Sequence, residues 1–213
     1  MLKIKQSCRT NDIFYLKYPF EFPKECIDEV LQVYEEGFFV KHRGSDSHGW
    51  QSCALHGWGV GKPEYYRTMN PSGYGIKEED VVYGWTEIEE LAPRTKQFLQ
   101  DNFDTSVMRR ARFMLLEPGG YIKEHTDGEE RNIMSAINGC LTQPKDCYLR
   151  RTDTLEEVPF EPLKLFWYDN RVMHEAKNNS NENRFHFIIH GYYTDITKKH
   201  LIEAYKKEHG DIY

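Results

Sequence analysis

The chain has 213 residues, a formal net charge of −6 and a sequence pI near 5.9. Hydrophobic residues make up 39% and aromatic residues 14%, which predicts a folded globular protein rather than a disordered one. The acidic balance argues against a general nucleic-acid-binding protein, because such proteins need a basic surface. The length suits one domain, which we place at residues 1–213.

The cysteines and the N-terminus indicate the compartment. The five cysteines are irregularly spaced and form no CxxC pair, so they favour neither a disulfide framework nor a zinc knuckle. The stretch MLKIKQSCRTNDIFYLKYPF lacks the apolar segment of a signal peptide, and no apolar run has membrane-spanning length. These features predict a cytoplasmic protein that neither spans a membrane nor depends on disulfides.

Residues 1–108 are expected to form a helical and irregular part that supports the core. The apolar period predicts a helix over 23–37, with Ile27, Val30, Leu31 and Tyr34 on one face. A second helix is predicted over residues 86–103, where Thr86 and Glu89 fit a capping box. Pro93 either kinks this helix or marks its true start.

Between these helices, residues 41–75 show no sustained period. The piece HGWQSCALHGWGVG predicts one or two short strands. Its tryptophan, amide and hydroxyl side chains are of the kinds that line substrate pockets, so we assign a candidate substrate site to Trp50, Gln51 and Ser52, with His56 and Trp58 nearby. The alternative is that the aromatic residues cover one end of the core.

Residues 109–195 are predicted to be a series of short strands separated by turns. RRARFMLLE alternates, the following PGG predicts a turn, and RNIMSAINGCL, KDCYLRR, LKLFWYD, VMHEAK and RFHFIIHGYY continue the series. Such a series favours an antiparallel sandwich or barrel. Arg109, Arg110 and Arg112 are interpreted as a solvated edge, or as a patch that attracts an acidic substrate. A C-terminal helix closes the chain within residues 196–213, over about 197–209, with Thr197 as its cap.

Candidate metal ligands occur in this second half. His125 and Asp127 lie two residues apart in YIKEHTDG, a pairing that occurs by chance in a chain this rich in acidic residues. His174 and Arg184, ten residues apart in HEAKNNSNENR, change the interpretation. Two imidazoles and one carboxylate form the facial triad that suits Fe(II) and leaves coordination positions open.

Strand geometry and charge give Arg184 a separate task. On a strand, Arg184 and His186 point to one face, whereas Phe185, Phe187 and Ile189 point to the other. We therefore expect the cation and the imidazole inside a barrel and the apolar groups outside, against helices. A guanidinium pairs with a carboxylate in bidentate fashion, so Arg184 is suited to anchor the far end of a dicarboxylate.

Three segments, LLEPGGYIKEHTDG, QPKDCYLR and HEAKNNSNENR, resemble the Fe(II)/2-oxoglutarate-dependent oxygenase superfamily. The most similar branch is the aspartyl/asparaginyl β-hydroxylase-like one, which includes enzymes of the proline cis-hydroxylase type. The resemblance covers roughly residues 109–195. It implies a mainly β fold with flanking helices, built on a double-stranded β-helix (jelly roll). It also implies Fe(II), 2-oxoglutarate and O2 as cofactors and cosubstrates of a C–H hydroxylation.

Carried over by position, the resemblance makes His125, Asp127 and His174 the iron ligands and Arg184 the partner of the C5 carboxylate of 2-oxoglutarate. His186 stands where many members have a serine that touches the same carboxylate, and Asn138 is a further candidate contact. Aspartyl hydroxylases often have glycine at the position of Asp127, so the full triad places this chain nearer the proline-hydroxylase type or nearer relatives without an assigned activity. Where those enzymes have arginine and histidine, this chain has Ala136 and Asn138, which puts the aspartyl-specific chemistry in doubt.

The substrate implied by the branch is an amino acid, either free or within a peptide. Two other kinds of protein stay open. One is a cupin-like jelly roll that binds a metal or ligand without turnover. The other is a zinc hydrolase with the same three ligands, which would need a general base such as Glu124 or Glu175.

Overall fold

The computed structural model describes residues 8, 12–42, 46–58, 71–127 and 137–210. Ten strands and three α-helices follow one another along these residues: β1 (Tyr15–Glu21), α1 (Glu25–Glu35), β2 (Val40–Lys41), β3 (Ser47–Trp58), β4 (Tyr83–Trp85), α2 (Pro93–Asn102), β5 (Met108–His125), β6 (Ile137–Cys140), β7 (Cys147–Arg151), β8 (Lys164–Tyr168), β9 (His174–Asn178), β10 (Arg184–Gly191) and α3 (Asp195–His209). The mainly β fold with flanking helices is confirmed.

The strands form one antiparallel sheet that folds over on itself. Its main path is β1-β8-β6-β10-β5-β3-β2, with β4 added to β3. The first half of β5 lies between β10 and β3, and its second half pairs with β9, which in turn pairs with β7. The long β5 therefore joins the two faces of the jelly roll, and the space between those faces is the barrel interior.

The predicted turn at PGG is wrong, because β5 continues through these residues. Gly119 has a positive φ of 72°, which lets the strand bend without leaving the sheet. At Gly120 an added Cβ would lie 2.7 Å from the carbonyl oxygen of Glu117. The glycines thus serve a bend and a close backbone approach within a single strand.

Two hydrophobic cores lie on opposite sides of the sheet. The inner core fills the barrel and includes Met114, Leu116, Leu149, Phe166 and Ala176. The outer core lies between the sheet and the helices, and Phe185, Phe187 and Ile189 of β10 belong to it. This arrangement confirms the predicted alternation along β10. It leaves Arg184 and His186, both buried, on the inner face.

The helices differ from the sequence prediction in bounds and in caps. Pro93 is the first residue of α2, as one of the two alternatives proposed, whereas Thr86 caps only a short 3₁₀ turn over Glu87–Glu90. The cap of α3 is Thr194 instead of Thr197, which is buried inside the helix. The starts of α2 and α3 thus follow known helix-start signals, a proline in the first turn and a threonine cap, whereas α1 begins at Glu25 after Lys24 without a side-chain cap.

The predicted apolar face of α1 is wrong in part, because Leu31 and Tyr34 are exposed while Glu29 is buried. Glu29 is buried for a structural reason. Its carboxylate accepts hydrogen bonds from the backbone N–H groups of Arg94 and Thr95, at 2.6 and 2.9 Å. The carboxylate therefore caps the N-terminus of α2, where negative charge is favoured by the helix dipole.

The segment 41–75 contains more regular structure than its composition suggested. β3 is a single strand of twelve residues, and it lies between β5 and β2. Residues 59–70 lie outside the described part of the chain, as do residues 131–136 of the predicted strand RNIMSAINGCL and Ala136 with them. No helix among the described residues is long and apolar enough to cross a membrane.

Candidate active site

Two histidines meet across neighbouring strands at one end of the barrel. His125 is the last residue of β5 and His174 the first of β9, and the two are Cα partners in the β5–β9 pairing. Their ring centroids are 4.4 Å apart. Asp127 follows two residues after the end of β5. One potential ligand atom from each of these three residues lies within 4.8 Å of the other two.

The backbone fixes which nitrogen of each histidine faces the cluster. Nδ1 of His125 lies 2.8 Å from the carbonyl oxygen of Lys123, and Nδ1 of His174 lies 2.8 Å from that of Val172. A carbonyl oxygen only accepts hydrogen bonds, so each Nδ1 carries the proton and donates. In each ring Nε2 is therefore the nitrogen that can serve as a metal ligand.

The carboxylate of Asp127 is oriented by Asn170, a residue that belongs to none of the predicted ligands or cofactor contacts. Asn170 Nδ2 donates to Asp127 Oδ2 at 3.0 Å, and the backbone N–H of Asp127 donates to the carbonyl oxygen of Asn170 at 2.8 Å. Asp127 Oδ1 is the oxygen that lies 3.8 Å from His125 Nε2. Only a tertiary contact reveals this role, and no local motif around Asn170 signals it.

The cluster is partly open to solvent. His174 is buried, whereas the side chains of His125 and Asp127 keep 21% and 32% of their surface exposed. The ring of Tyr168 lies 5.3 Å from that of His174 and forms part of the wall. Two nitrogens and one oxygen on one side of an accessible site form the donor set of a facial triad, which suits Fe(II).

Arg184 lies deep in the same barrel and has no carboxylate partner among the described residues. Its Nε donates to Gln143 Oε1 at 2.9 Å, its guanidinium lies 4.8 Å from the ring centroid of Phe160, and its Nη2 is buried without a hydrogen-bond partner. Burial lowers the pKa of Arg184, but an arginine stays charged in a protein. A buried, charged donor without an anion fits the carboxylate of a ligand.

His186 and Asn138 are also buried on the inner face of the sheet. Burial, followed by the charges of Arg184 and Arg112, holds the pKa of His186 well below its usual range, so the ring is neutral. Nδ1 of His186 is buried and has no hydrogen-bond partner within the described ranges. Asn138 lies across the sheet from Ile188. Both residues therefore lie in the barrel with Arg184, and their contact with 2-oxoglutarate stays a prediction.

Strand alternation separates the three candidate substrate residues of β3. Trp50 packs in the inner core, and Ser52 Oγ lies 2.7 Å from Nδ1 of His42 inside the barrel. Gln51 lies on the opposite face, where its amide donates to Glu117 Oε1 at 2.8 Å. The structure thus places Trp50 and Ser52 on the metal-binding side of the sheet and Gln51 on the other side. His56 and Trp58 belong to a separate aromatic group.

His56 is buried against Trp85, with ring centroids 5.0 Å apart, and Trp58 packs on Tyr74 at 5.8 Å. Burial lowers the pKa of His56 to about 4. This group agrees with the structural alternative, in which the aromatic residues cover one part of the core.

Arg112 is not part of a solvated edge, because only 4% of it is exposed. Its Nη1 lies 3.5 Å from Nε2 of His42, and its Nη2 lies 3.4 Å from Nδ1 of His190. Arg109 differs, since its guanidinium lies over the rings of Tyr83 and Tyr192. The solvated-edge interpretation is therefore wrong for Arg112.

The strand register places Arg112 toward the metal end of the barrel. Ile188, the Cα partner of Arg112, lies in one cross-strand row with Phe166. Tyr168, the next inward residue on β8, is the one whose ring packs near His174. Arg184 lies four residues before Ile188 on β10, roughly 13 Å further along the strand direction. Arg112 and Arg184 therefore lie at different depths of the barrel, with Arg112 nearer the metal end.

A model of the aspartyl/asparaginyl β-hydroxylase family matches residues 24–192, which is more than half of the chain. The chain belongs to this family. The match confirms the resemblance seen in the sequence and extends it into the N-terminal half. No curated protein matches the chain significantly in sequence.

Two solved structures illustrate the shared fold. HygX from Streptomyces hygroscopicus, with nickel and 2-oxoglutarate bound, is 7% identical, with a TM-score of 0.51 over 90% of this chain and 87% of that chain. The non-haem α-ketoglutarate-dependent epimerase SnoN from nogalamycin biosynthesis is 9% identical, with a TM-score of 0.50 over 95% of this chain and 88% of that chain. At such identities the likeness concerns the fold, which agrees with the predicted jelly roll.

Family membership supports an enzyme of the Fe(II)/2-oxoglutarate-dependent hydroxylase type, and the residues of this chain fit both cofactors. Two histidines and a carboxylate with oriented lone pairs suit Fe(II). The orphaned donor of Arg184 suits the dicarboxylate. Asp127 lies in the cluster with both histidines, and the predicted departure from the aspartyl hydroxylases stays a prediction.

Proposed function

We propose that this family member hydroxylates a C–H bond of an amino acid, with iron held by His125, Asp127 and His174 and 2-oxoglutarate anchored by Arg184. The observation that supports the proposal best is the pairing of two features in one barrel. The three ligand atoms lie within 4.8 Å of one another at its open end. The interior holds the charged guanidinium of Arg184, whose Nη2 has no hydrogen-bond partner among the residues that the structure describes.

Bound iron and 2-oxoglutarate supply the oxidising chemistry, in which O2 is consumed, 2-oxoglutarate becomes succinate and carbon dioxide, and one oxygen atom enters the substrate C–H bond. The protein's residues bind and orient these groups. The Nδ1–H bonds of His125 and His174 hold both Nε2 atoms toward the cluster. The buried Arg184 holds the distal carboxylate in a region that excludes water, where a charge-assisted pair is strong.

For the substrate, we propose a free amino acid whose carboxylate pairs with Arg112. The guanidinium is buried, lies toward the metal end and is contacted by two imidazoles. Burial, followed by the charges of Arg112, Arg110 and Arg109, holds the pKa of His190 well below its usual range, so that ring is neutral and adds no charge of its own beside Arg112. A peptide bonded through its carboxyl group lacks this anion unless a side chain supplies it, so the site favours the free acid.

Amino-acid-dependent succinate formation tests this proposal. A panel of free amino acids and their carboxyl amides would be supplied to the iron-loaded enzyme with 2-oxoglutarate. We expect turnover with a free acid but not with its amide. Arg112→Gln should raise the KM for the active amino acid by about 10- to 100-fold, because a buried charge-assisted pair is lost. Arg109→Gln, which removes an arginine that stacks on Tyr83 and Tyr192, is the matched control.

Equal KM values in Arg112→Gln and the wild type, or turnover of the amide alone, would contradict the carboxylate role. Iron binding without any succinate would favour the cupin-like binding module. The zinc hydrolase is the weaker candidate, because both possible bases neighbour a proposed ligand on a strand, where successive side chains point to opposite faces. Glu175 is in addition paired with Arg150 at 2.7 Å.

A further inference from the structure

The turn that follows β8 contacts two of the three proposed metal ligands. The amide of Asn170 reaches Asp127, and the carbonyl oxygen of Val172 accepts the proton of His174 Nδ1. The two ligands come from different parts of the chain, one after β5 and the other at the start of β9. Their relative position therefore depends on this turn, which we define as residues Asp169 to Val172.

Hydrogen bonds within the turn, and one to the segment before β1, hold the turn in place. The backbone N–H of Asp169 donates to the carbonyl oxygen of Phe14 at 2.8 Å, and that of Val172 donates to Asp169 at 3.0 Å. Arg171 Nε donates to the Asp169 carboxylate at 2.6 Å. Asp169 and Asn170 are both buried, at 5% and 8% exposure. Asn170 thus presents its amide from a fixed support rather than from a loose loop.

Hydrogen-bond chemistry determines which atom of the Asn170 amide faces Asp127. A carboxylate accepts hydrogen bonds and cannot donate them, so the Asn170 atom facing Asp127 Oδ2 is the NH₂ group. That bond occupies one oxygen of Asp127. The other oxygen, Oδ1, is the one near His125 Nε2, at 3.8 Å. The backbone bond from Asp127 N–H to the Asn170 carbonyl oxygen, at 2.8 Å, fixes the main chain at the same point.

We infer that Asn170 is a positioning residue that keeps Asp127 a monodentate ligand through Oδ1, an inference that rests on the metal site of the proposed function. With Oδ2 engaged by the amide, the carboxylate offers one oxygen to the metal. The remaining coordination positions then stay open for the cosubstrate and O2. Outer partners of this kind commonly contribute a factor of 10 to 100 in metal affinity.

Titration of the metal-free protein with Co(II) tests this inference without using activity. Affinity and the visible d–d spectrum would be compared for the wild type, Asn170→Ala and Asn170→Ser. We expect Asn170→Ala to bind Co(II) 10- to 100-fold more weakly and with an altered spectrum, because the freed oxygen can also reach the metal. Asn170→Ser keeps a short donor and should recover part of the affinity. Asn102→Ala removes an amide that bonds to Phe98 in α2 and should bind as the wild type does.

Two results would overturn the positioning role. One is wild-type affinity and spectrum in Asn170→Ala. The other is a lower unfolding temperature of metal-free Asn170→Ala with an unchanged Co(II) spectrum, which would make the contact purely structural. If the wild type and Asn102→Ala also fail to bind Co(II), the metal site of the proposed function fails, and the inference fails with it.

Discussion

The metal end of this barrel, around His125, Asp127 and His174, differs from the interior, around Arg184 and His186, in solvent exposure and in hydrogen bonding. At the metal end, His125 and Asp127 are partly exposed, and every proposed ligand is oriented by a hydrogen bond to a backbone carbonyl or a side-chain amide. In the interior, Arg184 and His186 are almost fully buried, and each keeps one polar atom without a hydrogen-bond partner in the described part of the chain. The first region holds three oriented side chains whose donor atoms suit a metal ion, whereas the second holds a buried cation that suits an anion.

Because of this difference, substitutions in the two regions should affect different binding steps. Oriented ligands determine whether a metal is retained at all. An unsatisfied buried cation determines which organic acid binds, because desolvating its charge is costly unless a counter-charge arrives. Substitutions at the two ends should therefore have separable effects on metal binding and on cosubstrate binding.

The largest expected effect is at the metal end. His174→Ala removes one of the two nitrogen ligands and should abolish retention of Fe(II) after gel filtration, measured as iron per protein. Glu175→Gln, which changes the neighbouring residue and its ion pair with Arg150, is the control and should retain iron. Full iron content in His174→Ala would break the assignment.

The next effect is in the interior. Arg184→Met should raise the concentration of 2-oxoglutarate needed for half-saturation by on the order of 100-fold, because a buried charge pair with the cosubstrate is lost. Iron content should stay that of the wild type. Arg184→Lys keeps the charge but lacks the bidentate fork. Its half-saturating concentration of 2-oxoglutarate should therefore lie between those of the wild type and Arg184→Met. Iron loss equal to that of His174→Ala would contradict the separate roles.

A smaller effect concerns acid stability. The folded protein holds the pKa of His186 well below its usual range, so the unfolded chain binds a proton that the folded chain does not. Its contribution to stability is complete above about pH 6.5 and is lost as the pH falls below that value. In urea unfolding of the metal-free protein between about pH 6.5 and pH 5, His186→Asn should reduce the slope of stability against pH by up to about 1.4 kcal/mol per pH unit.

His48→Asn serves as the control for that experiment, because His48 is exposed. It should leave the slope unchanged. If stability depends on pH with the same slope in His186→Asn as in the wild type, the buried ring does not resist protonation. That result would contradict the assignment of His186 to a buried, positively charged interior.

Much of the fold and of the candidate site was accessible from sequence because the signals are local. The alternation in RFHFIIHG predicts which side chains of β10 face inward, and the burial of Phe185, Phe187 and Ile189 among the outer core confirms it. The spacing of His125 and Asp127 and the position of His174 predict a cluster, and the structure brings these three residues together.

The missed features depend on contacts between distant segments. From the local sequence, Glu29 is expected to be an exposed helix residue. In the structure it is buried, because the first backbone N–H groups of α2 donate to its carboxylate. Arg112 is expected to be a surface charge, but β5 lies between β3 and β10 and the side chain is buried. Asn170 is expected to be an ordinary turn residue, but its amide donates to Asp127, which follows the end of β5. In each case a polar side chain is buried because of a partner far away in the sequence, which no local pattern can reveal.

The central claim is that His125, Asp127 and His174 hold an iron that 2-oxoglutarate then chelates. Anaerobic titration of the purified protein with Fe(II), followed by 2-oxoglutarate, tests it most directly through the weak visible charge-transfer band of the chelate. We predict that the band forms in the wild type, needs far more 2-oxoglutarate in Arg184→Met, and is absent in His174→Ala. Absence of the band in the wild type at every loading, or its persistence in His174→Ala, would contradict the account.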